Sequence, residues 1–192
     1  MGNSLGTPSI EMLQSAAAAD EDVVAHLTDL VNRVYAEAED GLWVDGAART
    51  SEAEMAGLIA AGEIAVARQP GRAERIVGSV RIQQIDDQLG EFGMLVADPA
   101  HRSQGIGRDL VGFAEDWCRR QDRTVMQLEL LVPREWTHPV KAFLDAWYTR
   151  IGYRPVRTGT IDEAYPHLAP LLATPCDFVI YHKPLTGNRP AP

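Results

Sequence analysis

Apolar positions in the first part of the chain follow two different periods. Residues 20–38 carry apolar side chains at helical spacing along one face. That face is formed by Val23, Leu27, Leu30, Val31 and Val34. The segment SEAE sets Ser51 and Glu54 at the spacing of a capping box and predicts a second helix that runs through Ile59. The runs SIEMLQSA, EIAVARQ and IVGSVRIQQI predict short strands, the last two joined by PGRAER.

The second part of the chain continues this alternation of strands and helices. DDQLG predicts a turn into a strand at 91–97, which is followed by a helix at 107–120 and by the strand TVMQLELLV. A helix is predicted at 139–151, with one apolar face made of Val140, Phe143, Leu144, Trp147, Tyr148 and Ile151. YRPVRTGTI and CDFVIYHKPL predict the closing strands, linked by DEAYPHLAPLLAT. The order β-α-α-β-β-β-α-β-α-β-β indicates an α/β protein with a mixed sheet and helices on both faces.

Composition limits the class of protein without identifying it. With 192 residues, 45% apolar and 23% charged, one domain over residues 9–185 is expected. The Gly-, Pro- and Asn-rich ends, residues 1–8 and 186–192, are expected to be flexible. A net charge of −9 disfavours broad nucleic-acid binding and suits a cationic small molecule.

Targeting signals and metal motifs are not evident in this sequence. No stretch approaches the roughly 18 apolar residues of a membrane span, and the N-terminus lacks the regions of a signal peptide. Cys118 and Cys176 lack CxxC spacing, which argues against a zinc site and a disulfide framework. We therefore expect a reduced, cytoplasmic protein that binds neither metal nor membrane.

The stretch HRSQGIGRDL, residues 101–110, lies where a strand is predicted to turn into a helix. A glycine-containing turn at this place exposes backbone N–H groups at the positive end of the helix dipole, which favours an anion such as pyrophosphate. A dinucleotide fingerprint needs a third glycine where Leu110 stands, and a P-loop needs the absent Gly-Lys-Ser/Thr. From these residues alone, an anion site and a turn that binds nothing both remain open.

The sequence segments around this turn resemble those of one enzyme family. Arg-Ser-Gln-Gly-Ile-Gly at 102–107 matches the (Gln/Arg)-x-x-Gly-x-(Gly/Ala) signature of the GCN5-related N-acetyltransferase (GNAT) superfamily. GEFGMLVADPAHRSQGIGRDLV resembles that family's fourth strand, loop and third helix, and FLDAWYTRIGYRPV resembles its Tyr-x-x-x-Gly-(Phe/Tyr) segment. The ending YHKPL resembles the last strand, so the resemblance covers residues 9–185.

The resemblance implies a fold and a cofactor site. It implies a mostly antiparallel sheet of six to seven strands that splays between the fourth and fifth strands at a bulge. It implies acetyl-CoA as the acyl donor, while larger acyl groups remain open. The pyrophosphate would contact Arg102, Ser103, Gln104, Gly105, Ile106, Gly107 and Arg108. The pantetheine would pair with the backbone of Leu95 and Val96, and the Leu95 N–H would polarise the thioester carbonyl.

Two side chains are candidates for proton transfer. The resemblance aligns Tyr148, four residues before Gly152, with the family's general acid, which would protonate the departing thiolate. Glu91 stands eleven residues before Arg102, the offset of the base in the histone-acetyltransferase branch. Strand alternation puts Glu91 opposite the apolar face of its strand, beside the open position of Gly93. Glu129 and a chain of water molecules are the alternatives for the base.

The acceptor is less well defined than the cofactor. The family binds the acceptor between two segments. In this chain they are the loop between the first and second helices, AEAEDGLWVDGAART, and the segment before the last strand, TIDEAYPHLAPLLATPCDF. These segments offer carboxylates and aromatic rings that suit a cationic amine: Glu37, Glu39, Asp40, Trp43, Asp45, Asp162, Glu163, Tyr165 and His167. The long second segment favours a small-molecule amine over a protein, and a homodimer remains open.

One segment departs from the family pattern. The family's cofactor-contacting asparagine before the fourth helix is missing from PREWTHPVKAF, where His138 and Thr137 are possible substitutes. Pro139 is expected at the first position of the helix. A non-catalytic acyl-CoA sensor of the same fold is the alternative to an enzyme.

Overall fold

The strands form close to where the apolar pattern predicts them, although the first ends at Met12 and the rest of SIEMLQSA runs into a 3-10 turn. The computed structural model describes residues 8–70 and 75–185. Its strands are β1 (Ser9–Met12), β2 (Ile64–Arg68), β3 (Ile76–Gln84), β4 (Leu89–Ala97), β5 (Val125–Pro133), β6 (Arg154–Gly159) and β7 (Cys176–Pro184). The helices are α1 (Glu21–Ala38), α2 (Glu52–Ala60), α3 (Ile106–Arg120), α4 (Pro139–Arg150) and the single turn α5 (Ile161–Ala164). Short 3-10 turns lie at Ser15–Ala19, Pro99–His101 and Ala169–Leu171.

The strands make a mixed sheet in the order β1-β2-β3-β4-β5-β7-β6. The pairs β1–β2, β2–β3, β5–β7 and β6–β7 are antiparallel, and β4 pairs with β5 in parallel. The parallel register covers only Leu89–Glu91 with Val125–Gln127, and Met94 then takes a left-handed φ of +47° within β4. A left-handed residue inside a strand interrupts its regular pairing, as a bulge does. The prediction of a mixed sheet with a splay after the fourth strand is confirmed.

The chain divides into two compact units, each with its own apolar cluster. The first unit lies within Met1–Glu37, Ala48–Gln83 and Phe92–Trp117, and the second within Ala38–Ala47, Gln84–Glu91 and Cys118–Pro192. The first cluster unites α1 and α2 with strand residues and includes Leu27, Leu30, Val31, Ile59, Val66 and Val96. The second comprises Leu42, Leu131, Ile161, Cys176 and Phe178. Of the predicted apolar face of α1, Leu27, Leu30 and Val31 are buried, and Val23 and Val34 are partly buried.

The start of α2 follows its predicted cap. The Ser51 hydroxyl accepts a hydrogen bond from the Glu54 N–H at 3.2 Å, which satisfies one donor that the helix itself leaves open. The Glu54 carboxylate accepts from the Thr50 hydroxyl at 3.0 Å. Ser51 is therefore confirmed as the N-cap, and the Glu54 carboxylate bonds to Thr50, the residue before Ser51.

The predicted apolar face of α4 is wrong in one respect. Phe143 is 62% exposed, whereas Lys141 is only 4% exposed. Lys141 is buried because its ammonium pairs with the Glu39 carboxylate at 2.5 Å, a partner 102 residues away in sequence. Periodicity assigns lysine to the surface, and only a counter-ion from another part of the chain reverses this assignment.

Some predictions fall outside the described residues. The ends expected to be flexible cover residues 1–7 and 186–192, and part of the linker PGRAER covers residues 71–74, none of which the structure describes. Among the described helices, none has both the length and the apolar character needed to cross a membrane.

Candidate functional site

The turn before α3 is built around Asp98. Its buried carboxylate accepts from the Ala100 N–H at 2.9 Å, and its carbonyl accepts from the His101 N–H at 2.8 Å. These bonds stabilise the 3-10 turn at Pro99–His101. Ser103 and Gly105 then take left-handed φ values of +67° and +78°, which turn the chain into the helix.

The turn presents a row of backbone donors. The first helical bond of α3 runs from the Asp109 N–H to the Gly105 carbonyl at 3.0 Å. In the part of the chain that the structure describes, no acceptor bonds to the N–H groups of residues 103–108. Such groups are unsatisfied at every helix start, and they carry the positive end of the helix dipole. The start of α3 therefore has the donors that an anionic phosphate group requires.

The two glycines of the turn leave room beside these donors. A Cβ built on Gly107 meets no atom within 4 Å, and one on Gly105 meets the Arg108 guanidinium at 3.4 Å. The Arg102 and Arg108 side chains are about three-quarters exposed, and they pair with Glu37 at 3.5 Å and with Asp109 at 3.2 Å. Exposed pairs of this kind are worth little energy. The residues present therefore fit the diphosphate of a nucleotide-containing cofactor.

A glycine on β3 brings α3 close to the sheet. A Cβ on Gly78 would stand 2.8 Å from the Ile106 side chain and 2.9 Å from the Val96 carbonyl oxygen. Only a glycine therefore lets the first residue of α3 pack at this distance. On β4, one and two residues beyond Met94, Leu95 is half-buried and Val96 is 1% exposed. Gly78 was not identified from the sequence, because nothing local distinguishes it from any glycine in a strand.

Glu91 is held in a polar row across three strands. It pairs with Gln127 of β5, which in turn pairs with His182 of β7. The Gln127 side-chain N–H donates to the Glu91 carboxylate at 2.5 Å, and the Gln127 carbonyl oxygen lies 2.8 Å from the His182 Nε2. Because a carbonyl oxygen only accepts, this pattern assigns the proton to the His182 Nε2. Glu91 is 6% exposed, so it is a buried, hydrogen-bonded carboxylate and not a solvated one.

The row defines one face of the second unit's strands. Gln127 and His182 are register partners, and so are the next pair, Leu128 and Tyr181. Side chains of successive strand residues point to opposite faces, while register partners share a face. Glu91 therefore lies on the face of Gln127 and His182, and Tyr181 lies on the other.

Tyr148 belongs to the opposite face. The Tyr181 hydroxyl donates to Asp145 of α4 at 2.6 Å, so α4 covers the face that carries Tyr181. Tyr148 is 6% exposed on α4, with its ring centroid 4.9 Å from that of Trp147 and 6.0 Å from that of Tyr153. Glu91 and Tyr148 are thus brought into one unit but onto different faces of the sheet.

The spacing of the Tyr-x-x-x-Gly segment has a local cause. Gly152 takes a φ of +107° and ends α4, and the Tyr153 N–H bonds back to the Tyr148 carbonyl at 3.0 Å. A left-handed residue at this position is the usual way to close a helix, and glycine adopts it without strain. The glycine therefore holds Tyr148 in the last turn of α4.

These features coincide with a family assignment. The family model of the GNAT acetyltransferases matches residues 30–144, which is more than half of the chain. The chain belongs to the GNAT acetyltransferase family. A search of curated proteins gave no significant match.

Solved structures of GNAT proteins share the fold at low identity. An aminoglycoside 6'-acetyltransferase type Ii is 16% identical, with a TM-score of 0.61 over 94% of this chain and 99% of that one. The yncA protein of Salmonella typhimurium, solved with acetyl-CoA, is 16% identical, with a TM-score of 0.61 over 97% and 98%. The NatC complex bound to Gag peptide and CoA is 16% identical, with a TM-score of 0.63 over 94% and 100%.

The two segments assigned to the acceptor in GNAT proteins are joined in this chain. Trp43 forms an antiparallel bridge with Leu172. The Val44 N–H bonds to the Leu171 carbonyl at 2.8 Å, and the Ala173 N–H bonds to the Leu42 carbonyl at 2.9 Å. Both segments pack on Leu131 and Phe178, which share the face of Gln127. The two predicted acceptor segments thus cover the same sheet face that carries Glu91.

Two buried or paired acidic side chains of these segments, and Glu129 beside them, already have partners. Glu39 is 8% exposed and binds the Lys141 ammonium through one oxygen and the Trp43 indole N–H, at 2.6 Å, through the other. Glu163 pairs with Arg157 at 2.8 Å. Glu129, the alternative base, accepts from the Tyr165 hydroxyl at 3.0 Å and lies on the Glu91 face of β5.

The remaining predicted groups have structural explanations. His138 caps α4 by accepting from the Val140 N–H at 3.2 Å, and Pro139 is the first helical residue, as expected. Cys118 and Cys176 are buried thiols, and burial raises the pKa of Cys176 to about 11. In the described residues, no group of three or more His, Cys, Asp or Glu is arranged to hold a metal ion.

Proposed function

We propose that this GNAT protein is an acetyl-CoA-dependent N-acetyltransferase that acetylates the primary amine of a small molecule by direct attack. The observation that carries the proposal is the row of unpaired N–H groups at residues 103–108, beside two glycines and two exposed arginines. A diphosphate is the biological anion that such a helix start binds most commonly. The family assignment supports CoA as the source of that diphosphate.

Two parts of the first unit would hold the cofactor. The N–H groups of residues 103–108 donate to the phosphate oxygens, with Arg102 and Arg108 adding charge. The backbone of Leu95 and Val96, beyond the left-handed Met94, offers strand-like partners for the amides of pantetheine. Acetyl-CoA supplies an acetyl group activated as a thioester, and the Leu95 N–H would polarise its carbonyl.

Glu91 and Tyr148 would divide the two proton transfers between them. The Glu91 carboxylate, held by the Gln127 amide, accepts a proton from the ammonium group of the acceptor and so generates the nucleophilic amine. The Tyr148 hydroxyl donates a proton to the departing thiolate. Their positions on opposite faces of the sheet support this division, since one group serves the entering amine and the other serves the leaving group.

The acceptor would approach on the Glu91 face, which carries two hydrogen-bonded carboxylates. Glu91 and Glu129 flank Gln127 on this face, and Tyr165 adds an aromatic ring. Carboxylates beside an aromatic ring suit an ammonium group. The bridge between Trp43 and Leu172 covers this face and favours a small acceptor over a protein chain. One similar structure is an aminoglycoside acetyltransferase, although another is bound to a peptide.

A thiol-release assay with acetyl-CoA and a panel of amines tests the proposal. We expect release above background hydrolysis with at least one small primary amine. Glu91→Gln should lower kcat by on the order of 10²-fold or more, while Glu129→Gln serves as the matched carboxylate on the same face. Measurable CoA binding without release for any amine would favour an acyl-CoA sensor. Equal losses in the two variants would contradict the role of Glu91.

A further inference from the structure

His182 lies at the far end of the polar row that begins at Glu91. It is half-buried on β7 and is the register partner of Gln127 on β5, which is in turn the register partner of Glu91 on β4. Neighbouring strands are about 4.8 Å apart, so the His182 backbone stands roughly 10 Å from that of Glu91. The hydrogen bonds of the row therefore connect the imidazole to the Glu91 carboxylate through Gln127 and not directly.

The side chain in the middle of the row has two ends of opposite character. The Gln127 amide carries N–H donors on one side and a carbonyl acceptor on the other, and a half-turn of the amide exchanges them. The N–H end faces Glu91 at 2.5 Å, and the carbonyl end lies 2.8 Å from the His182 Nε2. The orientation matters to Glu91, because a carboxylate accepts a hydrogen bond from an N–H and is repelled by a carbonyl oxygen.

The groups at the two ends of the row decide which amide orientation is stable. An ionised Glu91 requires the N–H end, which leaves the carbonyl end for a donor at His182. In the reversed row the carbonyl faces Glu91, which must then carry a proton to bond with it. The amide N–H then faces Nε2, which must carry none. A ring with its proton on Nε2 is therefore compatible only with the orientation that presents an N–H to Glu91.

An imidazole suits the end of this row better than other polar side chains. The neutral ring with its proton on Nε2 and the imidazolium both donate from Nε2, so this donation survives a change in the charge of the ring. A hydroxyl rotates to donate or accept, and a second amide can itself turn over. Neither of these groups would by itself select one orientation of the Gln127 amide.

We propose that His182 is a positioning residue for acetyl transfer, which holds the Gln127 amide in the orientation that presents an N–H to Glu91. The inference rests on the role of Glu91 as the base proposed above. Without the His182 donor, the Gln127 carbonyl loses its partner, and the amide also samples the orientation that repels the carboxylate. The loss is expected in kcat, because the row belongs to the second unit and the turn at residues 103–108 belongs to the first.

Steady-state kinetics of His182 variants test this role. His182→Leu removes the donor and should lower kcat about tenfold, with the KM for acetyl-CoA unchanged. His182→Gln places an amide N–H at the position of Nε2 and should recover most of the rate, whereas the shorter amide of His182→Asn should not. An unchanged kcat in His182→Leu would overturn the proposal. A loss in His182→Gln as large as that in Glu91→Gln would also overturn it, since His182 would then take part in the chemistry itself.

A double variant shows whether His182 acts through Gln127. His182→Leu and Gln127→Leu break the same chain of hydrogen bonds, so the double variant should be about as slow as either single variant. A loss of about a hundredfold, the product of two independent effects, would contradict the proposal. His26→Leu is the matched control and should keep the kcat of the parent. His26 is also half-buried, and its Nε2 lies 3.0 Å from the Ile76 carbonyl oxygen.

Nitrogen NMR of the imidazole rings tests the row without any enzyme activity. Nitrogen-15 chemical shifts distinguish a protonated from an unprotonated ring nitrogen, and the spectrum of His182→Gln identifies the His182 signals. We expect a proton on the His182 Nε2 of the parent. At pH 8 this proton should be partly lost in Gln127→Leu, because a neutral ring without its partner divides the proton between Nδ1 and Nε2.

The NMR and kinetic results separate this inference from the proposed function. An unprotonated Nε2 in the parent would overturn the inference even where Glu91→Gln confirms Glu91 as the base. A protonated Nε2 together with full activity of Glu91→Gln would refute the base, and the positioning role of His182 with it. A protonated Nε2, a slow His182→Leu and its rescue in His182→Gln are the combined result that the proposal requires.

Discussion

The side-chain amide of Gln127 donates a 2.5 Å hydrogen bond to the buried carboxylate of Glu91, its register partner across the parallel strands β4 and β5. This pair lies in the last register position of the parallel ladder. The amide is itself fixed from the other side by His182. Gln127 therefore orients the proposed base.

Gln127→Leu should lower kcat by on the order of tenfold and leave the KM for acetyl-CoA unchanged. The variant keeps the side-chain volume but removes the donor that orients one oxygen of Glu91. Steady-state kinetics with varied acetyl-CoA measure both constants. Gln127→Asn, which keeps an amide on a shorter side chain, should recover part of the rate. If both variants lose the same amount of kcat and the same amount of thermal stability, the role of Gln127 is purely structural.

Tyr148→Phe should reduce kcat by about 10²-fold or more, because the phenol donates the proton that the thiolate needs. Its ring contacts with Trp147 and Tyr153 are retained, so CoA affinity and fold should change little. Tyr153→Phe is the control in the same ring cluster and should keep its turnover. Unchanged turnover in Tyr148→Phe would reject Tyr148 as the acid.

Gly107→Ala should separate cofactor binding from stability. A Cβ at this position meets no protein atom within 4 Å, and alanine is favoured over glycine in a helix by up to about 1 kcal/mol. The melting temperature should therefore hold or rise, while the methyl group holds the diphosphate away from the N–H donors and lowers CoA affinity at least tenfold. Gly112→Ala, on the same helix with equal space, should bind CoA normally. Equal CoA affinities in the two variants would place the cofactor elsewhere.

Lys141→Met should destabilise the protein by about 3–5 kcal/mol, since it leaves the Glu39 carboxylate buried without its counter-ion. The double variant Lys141→Met/Glu39→Gln removes both charges and should recover most of this loss. Urea unfolding of the three variants and the parent measures the coupling. A double variant as unstable as Lys141→Met would show that the packing of these side chains, and not their charge, is what matters.

Cys176 should react slowly with iodoacetamide at pH 8. Burial raises the pKa of its thiol from 9.0 to about 11, which reduces the reactive thiolate roughly 100-fold. The unfolded chain loses this proton near pH 9 and the native chain only near pH 11, so stability due to Cys176 is complete below pH 9 and declines between these values. Urea unfolding at pH 8 and pH 10 should show a smaller difference for Cys176→Ala than for the parent. Equal differences would contradict the pKa shift.

Local patterns in the sequence predicted the elements and the glycine-containing turn before α3. The helical period of α1, the cap at Ser51 and the turn glycines are properties of neighbouring residues, and each has its place in the structure. The distant pairings could not be predicted in this way. Gln127 comes beside Glu91 only through strand register, and Lys141 is buried only because Glu39 arrives from another segment. The proposed site depends on both local patterns and distant pairings, and its acceptor side depends mainly on the distant pairings.

The bridge between Trp43 and Leu172 consists of main-chain contacts, as do the bonds of Val44 and Ala173 beside it. Main-chain hydrogen bonds do not depend on the identity of the side chains beside them, except at proline. The two segments can thus exchange the side chains that project from them while their backbones stay joined. Under the acceptor position proposed above, new side chains on this fixed backbone are expected to redirect the specificity of the protein.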